Sequence, residues 1–292
     1  MIKRSSTGAH ELPPAESIDS DVARALAEDL GSGDVTAELV DSGAHAVAEV
    51  MCRDSAVIAG RAWFDACFHH LDPEIIIQWA VDEGQHVAAD TLLCHIQGPA
   101  RALVSAERTA LNFLQTLSGT ATQTARYVSA VAQSGTRILD TRKTLPGLRY
   151  AQKYAVRCGG GSNHRIGLFD AILIKENHIA AAGSLPAAVS AARRLHPELL
   201  LEVEVESLDE LDQALDAGVD RIMLDEFSSD MLSQAVEKAR GKVQLEVSGG
   251  VDLEHAATIA RLGVDYISVG AITKHVHAVD LSMRIRLQPT AS

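Results

Sequence analysis

In residues 200–225, LLEVEVESLDELDQALDAGVDRIMLD, two short apolar runs flank a helix-like segment. The runs 200–204 and 221–225 have the length and composition of buried strands. A strand, a helix and a second strand in this order are typical of a parallel βα unit. The same alternation extends from Gly135 to Gly270. It gives six candidate strands, at 137–140, 171–175, 200–204, 221–225, 243–248 and 266–270.

The six candidate strands share one property at their C-terminal ends. Their last residues are Asp140, Lys175, Glu204, Asp225, Ser248 and Gly270. In a parallel barrel such ends converge on the face that carries the active site. The sequence therefore predicts an α/β barrel with these residues around one mouth. Because a closed barrel has eight strands, an incomplete barrel, two unrecognised strands and an open doubly wound sheet remain as alternatives.

The segment from Arg137 to Lys175 is basic, although the chain as a whole is acidic. It contains eight Lys or Arg residues and two acids, Asp140 and Asp170, in a protein of formal charge −13. A solvated basic face, the alternative, is usually interleaved with acids. The concentration of cations therefore indicates a pocket for phosphates or carboxylates.

The bulk properties exclude several other classes of protein. A net charge of −13 and a pI near 5.3 argue against non-specific binding to nucleic acid or to anionic membranes. The four cysteines form no Cys-x-x-Cys pair, and neither a signal peptide nor a membrane span is evident, so we expect a cytoplasmic protein. Walker A, Gly-x-Gly-x-x-Gly and His-Glu-x-x-His motifs are missing from the sequence.

The first part of the chain has a different pattern. Residues 46–97 alternate as in β-strands, and residues 103–117 have helical spacing, followed after Ser118-Gly119 by a second predicted helix to about Gln133. A small α+β domain with a boundary near residue 118 is predicted.

Several residues beyond Gly135 are candidates for an anion site. Arg142 and Lys143 follow the first strand end, and His164 and Arg165 follow a glycine triplet at 159–161. Arg offers carboxylates or phosphates a bidentate fork and Lys a point charge. Each of these groups can also be explained without a ligand. Arg142 and Lys143 could be an exposed cation pair, His164 a structural histidine, and the glycines at 159–161 a flexible loop.

The remaining strand ends supply acids and glycines. Lys175 requires an anionic neighbour or ligand, because a charge directly after an apolar strand is costly to bury alone. Glu204 and Asp225 are suited to holding a divalent metal or to pairing with Lys175. The glycines that follow Ser248 and precede Ala271 occupy the position where many barrels bind phosphate, although tight turns alone would also explain them.

The central run resembles the quinolinate phosphoribosyltransferase family, also called nicotinate-nucleotide pyrophosphorylase (decarboxylating). The motifs are Asp-Thr-Arg-Lys-Thr-Leu-Pro-Gly at 140–147, His-Arg-Ile-Gly-Leu-Phe-Asp at 164–170 and Leu-Ile-Lys-Glu-Asn-His at 173–178. Further matches lie at 28–36, 107–115, 223–225, 246–250 and 267–270, so the resemblance covers nearly the whole chain. Two departures, Glu176 for a common Asp and Glu226 for a common Asn, affect no residue with an assigned role.

The resemblance implies a reaction and its cofactor. The family joins quinolinate to phosphoribosyl pyrophosphate with Mg²⁺, and releases pyrophosphate and CO₂ to give nicotinate mononucleotide for NAD synthesis. It implies carboxylate binding by Arg108, Arg142, His164 and Arg165. Catalytic roles are implied for Lys143 and Lys175, which lie next to both substrates, and for Glu204 and Asp225, which contact Mg²⁺ and the ribose. Phosphate binding is implied for Ser248, Gly249, Gly250 and Gly270.

The resemblance also implies domains and assembly. It predicts an N-terminal α/β sandwich at 1–117, joined by residues 271–292, and an incomplete six-stranded parallel α/β barrel at 118–270. A homodimer or larger assembly is implied, in which Arg108 reaches the partner's site.

Two other functions remain possible from the sequence. One is a related phosphoribosyltransferase for nicotinate or another heterocycle, which is disfavoured because a single carboxylate needs fewer cations. The other is a metabolite-binding protein without turnover, which is disfavoured because Glu204 and Asp225 accompany the cations.

Overall fold

The computed structural model describes residues 10–288, so the outer limits of the predicted domains, residues 1 and 292, lie outside the described part. The helices are α1 Ala15–Leu30, α2 Arg61–Leu71, α3 Ala100–Val131, α4 Arg149–Cys158, α5 Glu176–Ala182, α6 Leu185–Leu195, α7 Leu208–Ala217, α8 Ser229–Ala239, α9 Leu253–Ala260 and α10 Ala271–Lys274. The strands are β1 His45–Cys52, β2 Ala56–Val57, β3 Ile76–Trp79, β4 His86–Val87, β5 Thr91–Pro99, β6 Arg137–Leu139, β7 Ile172–Ile174, β8 Leu201–Val205, β9 Arg221–Asp225, β10 Gln244–Ser248, β11 Tyr266–Ser268 and β12 Leu281–Leu287. A short 3-10 helix spans Ala37–Leu39.

The described chain divides into two compact units. The first contains residues up to 123, 145–160 and the segment from 275, and the second contains 124–144 and 161–274. Residue 118, the predicted boundary, lies within α3. Among residues 10–288, none of the helices combines the length and apolar character needed to cross a membrane.

The first unit is built on an antiparallel sheet with the strand order β12-β1-β5-β3. Alternate residues of β1 are buried, as expected for a strand with one face on a core. That core holds Trp63 and Phe64 of α2, and the ring of Phe64 meets that of Trp79 edge-on at 5.3 Å. The indole of Trp63 donates a hydrogen bond to Asp21 on α1.

The second unit contains the predicted parallel strands. Their order is β6-β11-β10-β9-β8-β7, and all six lie within two residues of the predicted ranges. Each strand from β8 to β11 lies beside its predecessor in the chain, so the order lacks the reversal of a doubly wound sheet. The two edge strands, β6 and β7, are not paired with each other among the described residues. This confirms the incomplete six-stranded barrel.

Helix caps fix where the helices of this unit begin. Ser184, Ser207, Ser228 and Asp252 precede α6, α7, α8 and α9, and each side chain accepts a hydrogen bond from a backbone N–H in the first turn. These caps satisfy N–H groups that the helix leaves unpaired. The helices α7, α8 and α9 therefore each start within a few residues of the end of a strand, whereas α6 follows α5.

The predicted break at Ser118-Gly119 is wrong, because α3 continues through it as one helix of 32 residues. A Cβ at Gly119 would lie 2.1 Å from the carbonyl oxygen of His277, so the glycine permits a close backbone approach. The hydroxyl of Ser118 is buried and bonds the backbone N–H of Ala59 at 3.0 Å. Packing rather than a turn therefore explains this Ser-Gly pair.

Candidate active site

A cavity of about 230 Å³ lies at the C-terminal ends of the parallel strands of the second unit. Of the residues predicted from the sequence, it is lined by Arg142, Lys143, His164, Arg165, Lys175, Glu204, Asp225 and Ser248. Four different strand ends and two loops thus bring cations and acids together. The predicted Gly249, Gly250, Gly270 and Arg108 are not among its lining residues.

The loop that carries His164 and Arg165 is fixed by Asp140, the residue after β6. Asp140 is fully buried, and its carboxylate accepts hydrogen bonds from the backbone N–H of His164, at 2.9 Å, and from the Asn163 amide. Ser162 extends the edge of the sheet by a parallel bridge to Leu139. Asp140 therefore holds the loop at the strand ends instead of contacting a ligand.

Arg142 and Arg165 each bring a positive charge to the lining of the cavity. Burial, and then the positive charge of Arg142, lower the pKa of Arg165. Two guanidinium groups close enough to affect each other favour an anion between or beside them. The arrangement is suited to a ligand with carboxylate or phosphate groups.

Lys175 and Glu204 form an ion pair across neighbouring strand ends. The Lys175 ammonium donates to Oε2 of Glu204, whose side chain is 8% exposed, while the lysine side chain is 42% exposed. This confirms the predicted anionic neighbour of Lys175. Asp225 ends β9 beside Ser248 of β10 and is half-buried in the cavity wall.

Gly249 and Gly250 lie in the loop after β10, and Gly270 lies in the turn after β11. Gly249 has φ of 102°, a region that favours glycine, and a Cβ there would lie 2.7 Å from the Glu226 carboxylate. Gly270 lies against the Lys143 side chain, 2.9 Å from where its Cβ would stand. The phosphate role of these glycines stays a prediction.

Arg108 lies in the first unit, on α3. Its side chain is 61% exposed, and its guanidinium is 3.9 Å from the carboxylate of Glu107. Burial raises the pKa of Glu107. Since this long ion pair is the one contact of its guanidinium found among residues 10–288, the exposed arginine is available to a ligand or to a second subunit.

The structure adds three charged residues that sequence reasoning missed. Glu202 of β8 and Glu246 of β10 are almost completely buried, and Arg221 of β9 bonds Glu246 at 3.2 Å. Nε2 of His164 lies 2.9 Å from Glu202 and 3.5 Å from Glu246. Strand periodicity could have indicated the two acids, because residues i and i+2 of a strand face the same side. Glu202 therefore lies on the same face as Glu204, and Glu246 on the same face as Ser248.

His164, Glu202 and Glu246 are close enough together to hold a metal ion. Arg221 already supplies a positive charge to this cluster through Glu246. A divalent cation there would be repelled by the guanidinium group. We therefore interpret these three residues as a hydrogen-bonded cluster.

The buried acids predict that stability depends on pH. Burial raises the pKa of Glu202 to about 7 and that of Glu246 to about 8, from an ordinary value of 4.5. Between pH 4.5 and these raised pKa values, the two acids are protonated in the folded protein but ionised in the unfolded chain. The free energy of unfolding should therefore fall by several kcal/mol as the pH rises from 5 to 8.

Denaturant unfolding at several pH values measures this dependence. The Glu246→Gln variant removes one titrating group and should show a flatter profile over the same range. An identical profile in the variant would contradict the assignment of the effect to Glu246.

Glu226 carries backbone strain next to the predicted phosphate loop. Its φ is 53°, a left-handed conformation that Asn adopts more readily than Glu. Glu226→Asn should therefore stabilise the protein by about 1 kcal/mol, measured as a rise in the thermal unfolding midpoint. Glu226→Gln removes the charge without this backbone preference, and an equal rise in that variant would refute the strain argument.

A second cavity, of about 570 Å³, lies at the opposite ends of β9, β10 and β11. Its two acids are already engaged, because Asp220 pairs with Arg193 and Asp265 accepts from the Leu245 N–H. Its cations, Arg240 and Lys242, are exposed. The smaller cavity is therefore the stronger candidate for chemistry.

Comparison with known protein families gives two matches along this chain. Residues 34–118 match the family model for the N-terminal domain of quinolinate phosphoribosyl transferase, and residues 120–284 match that for its C-terminal domain. Together the two matches span most of the sequence.

Individual proteins show the same similarity. The chain is 41% identical over 278 residues to a probable nicotinate-nucleotide pyrophosphorylase (carboxylating) of Synechocystis sp., covering 94% of each chain. It is 43% identical over 272 residues to a nicotinate-nucleotide pyrophosphorylase (carboxylating) of Mycobacterium leprae, covering 90% of this chain and 95% of the relative. Its fold matches a solved nicotinate-nucleotide pyrophosphorylase from Francisella tularensis with a TM-score of 0.92 and 47% identity, over 97% of this chain and 100% of that one.

Proposed function

This chain belongs to the quinolinate phosphoribosyltransferase family. We therefore propose that the family's reaction takes place in the cavity at the ends of its parallel strands. The protein is a pentosyltransferase that transfers the phosphoribosyl group of phosphoribosyl pyrophosphate to quinolinate. The products are nicotinate mononucleotide, pyrophosphate and CO₂, in the de novo synthesis of NAD. The observation that carries this function is that two arginines, two lysines and three acids line one cavity.

Quinolinate carries two carboxylates on a pyridine ring, and we assign their binding to Arg142 and Arg165. These guanidinium groups are near enough to interact electrostatically, so a dianion between them relieves their repulsion. Fixing both carboxylates also fixes the ring, and with it the nitrogen that attacks the ribose. His164 lines the same wall.

The second substrate has a pyrophosphate leaving group, and we assign its charge stabilisation to Lys143 and Lys175. Departure of pyrophosphate leaves positive charge on the ribose and adds negative charge to the leaving group. Cations placed beforehand stabilise that change without reorganisation. We assign the 5′-phosphate to the backbone of Ser248, Gly249, Gly250 and Gly270, and the ribose hydroxyls to Glu204 and Asp225.

Mg²⁺ is the cofactor that we propose for this site. Asp225 projects into the cavity and has no ion-pair partner within residues 10–288, and Glu204 lies on the neighbouring strand. Magnesium in phosphate-transfer sites is typically held by one or two carboxylates together with substrate phosphates. These two residues fit that requirement. When bound, the ion would neutralise the pyrophosphate.

Loss of CO₂ follows from the new bond to the ring nitrogen. Once that nitrogen carries the ribose, the ring is cationic and can accept the electron pair left by the departing carboxylate. The carbon that loses CO₂ must then take up one proton to complete the nicotinate ring, and water supplies that proton while the wall formed by Arg142 and Arg165 holds the ring. We accordingly assign no side-chain nucleophile.

We further propose a cytoplasmic homodimer in which Arg108 of one subunit completes the site of the other. The exposure of Arg108 and its distance to Glu107 support a role outside its own unit. Mixing Arg108→Ala and Lys143→Ala proteins after co-refolding should then restore about one quarter of wild-type activity, because half of the dimers carry one intact site. Activity that stays at the level of the separate variants would contradict shared sites.

The decisive experiment combines the protein with Mg²⁺, phosphoribosyl pyrophosphate and either quinolinate or nicotinate. We expect nicotinate mononucleotide and CO₂ from quinolinate, and no product from quinolinate when a chelator is present. Product from nicotinate alone would identify a related phosphoribosyltransferase. Binding of quinolinate without product would identify a protein that only binds the metabolite.

A further inference from the structure

Lys143 is held at three points, although its side chain is exposed at the cavity. Its backbone N–H donates to the Thr141 hydroxyl at 3.0 Å. Its carbonyl oxygen accepts a hydrogen bond from the Thr273 hydroxyl at 2.8 Å. Its aliphatic stem lies against Gly270, where a Cβ would be 2.9 Å from Cδ of the lysine. Loop residues at a surface are usually mobile, so three contacts on one exposed residue indicate that its position matters.

The hydroxyl of Thr273 bonds Lys143 in preference to its own helix. A threonine in a helix often donates to a carbonyl of the preceding turn. Here the Gly270 carbonyl is 3.5 Å from the hydroxyl oxygen, whereas the Lys143 carbonyl is 2.8 Å away. A hydroxyl has one proton to donate, and the shorter contact receives it. Thr273 is fully buried, so solvent does not compete for this bond.

The turn that carries Thr273 starts from a rigid strand end. β11 pairs with β6, and the pairing continues beyond β11, because the Val269 N–H donates to the Leu139 carbonyl at 2.9 Å. Gly270 follows at once and leads directly into α10. A buried hydroxyl on this element therefore fixes the backbone of Lys143 relative to the sheet.

We propose that Thr273 is a positioning residue, which holds the Lys143 ammonium in place at the cavity by fixing the backbone of the lysine. This proposal rests on the function proposed above. Cations stabilise a leaving group best when they need no reorganisation, and a lysine on an unanchored backbone would have to be ordered in each turnover. The turn that begins at Gly270 is assigned to the 5′-phosphate, so one element both receives this phosphate and sets the lysine assigned to pyrophosphate.

The same two strands have a matched hydrogen bond at their other ends. The Thr136 hydroxyl, just before β6, donates at 2.7 Å to the Val264 carbonyl, just before β11. Thr136 and Thr273 are both buried, and each bonds a backbone carbonyl next to the neighbouring strand. The bond of Thr273 lies at the strand ends that carry the cavity, and that of Thr136 at the opposite ends. Comparison of the two threonines therefore separates positioning of Lys143 from a general contribution to stability.

Thr273→Val removes the hydrogen-bond donor and keeps the volume of the side chain, whereas Thr273→Ser keeps the donor. We expect kcat to fall by about 10- to 100-fold in Thr273→Val and to stay within about 3-fold of the wild type in Thr273→Ser. Thr136→Val is the control, and we expect its thermal unfolding midpoint to fall while its kcat is unchanged. Steady-state kinetics with quinolinate and thermal unfolding of each variant measure both effects.

Gly270→Ala tests the same position from the side of the lysine stem. The φ of Gly270 lies outside the left-handed region, so alanine fits the backbone, but its Cβ would displace the Lys143 stem. We expect kcat to fall by about 10-fold. In a Lys143→Ala background, Thr273→Val and Gly270→Ala should each lower kcat/KM by less than about 3-fold further, because the ammonium group that they displace is gone.

An unchanged kcat in Thr273→Val, or an equal loss in Thr273→Ser, would overturn the proposal. An equal loss in Thr136→Val would also overturn it, since the effect would then follow stability alone. Full losses in the Lys143→Ala background would show that the hydroxyl acts on other groups, again contradicting the proposal. If Thr273→Val does not fold, Gly270→Ala with and without Lys143→Ala gives the decision. Failure of the proposed function is distinct, because the wild-type protein would then form no product from quinolinate.

Discussion

Replacing Lys143 with alanine is expected to lower turnover by about 100- to 1000-fold while the protein remains folded. The Lys143 side chain is exposed at the cavity, so its loss removes charge stabilisation without opening the core. Its backbone is held independently, because the Lys143 carbonyl accepts from the Thr273 hydroxyl at 2.8 Å. Steady-state kinetics with quinolinate, together with circular dichroism of the variant, measures both parts of this expectation.

Lys242→Ala is the control for Lys143→Ala. Lys242 is exposed in the same unit, but at the opposite ends of the strands. We expect its turnover to equal that of the wild type. Near-normal turnover in Lys143→Ala would remove this lysine from the catalytic assignment.

Replacing Lys175 with methionine should lower kcat/KM by about 100-fold or more, because it removes a cation and leaves Glu204 buried without its partner. The side chain of Glu204 is 8% exposed, so solvent cannot replace the ammonium group effectively. A double variant with Glu204→Gln measures the coupling between the two residues. The losses of kcat/KM in the single variants should not add in the double variant.

A second lysine–acid ion pair serves as the control for the Lys175–Glu204 pair. Lys238 and Asp212 form an ion pair of 2.6 Å between α8 and α7, with side chains that are 39% and 51% exposed. Lys238→Met should alter kcat/KM by less than about 2-fold, since an exposed pair contributes little even to stability. If Lys175→Met behaves like Lys238→Met, the Lys175–Glu204 pair is structural and Lys175 has no part in the reaction.

The parallel strands could be predicted from the sequence because each is a short apolar run bounded by polar or glycine residues. The run 221–225 matches β9 residue for residue, and Lys175 has the anionic neighbour that its position required. Such features depend on local composition and on the geometry of parallel sheets, both of which can be read along the chain.

Two features could not be predicted because they depend on distant parts of the chain. Ser118-Gly119 has the composition of a turn, and only the approach of the His277 carbonyl explains a glycine inside a continuous helix. Strand periodicity places Glu202 and Glu246 on the side of Glu204 and Ser248, but it does not show that they are buried against His164 and Arg221. Burial of acids is decided by tertiary partners.

The pairing of β1 with β12 has a consequence for biosynthesis. Residues 45–52 receive their outer neighbour only from residues 281–287, after every strand of the second unit has left the ribosome. Until then β1 presents an open edge of unpaired backbone groups, of the kind that associates with other nascent chains. Completion of the first unit during translation must therefore wait for the last strand, and premature termination before residue 281 should yield aggregating chains instead of a folded fragment.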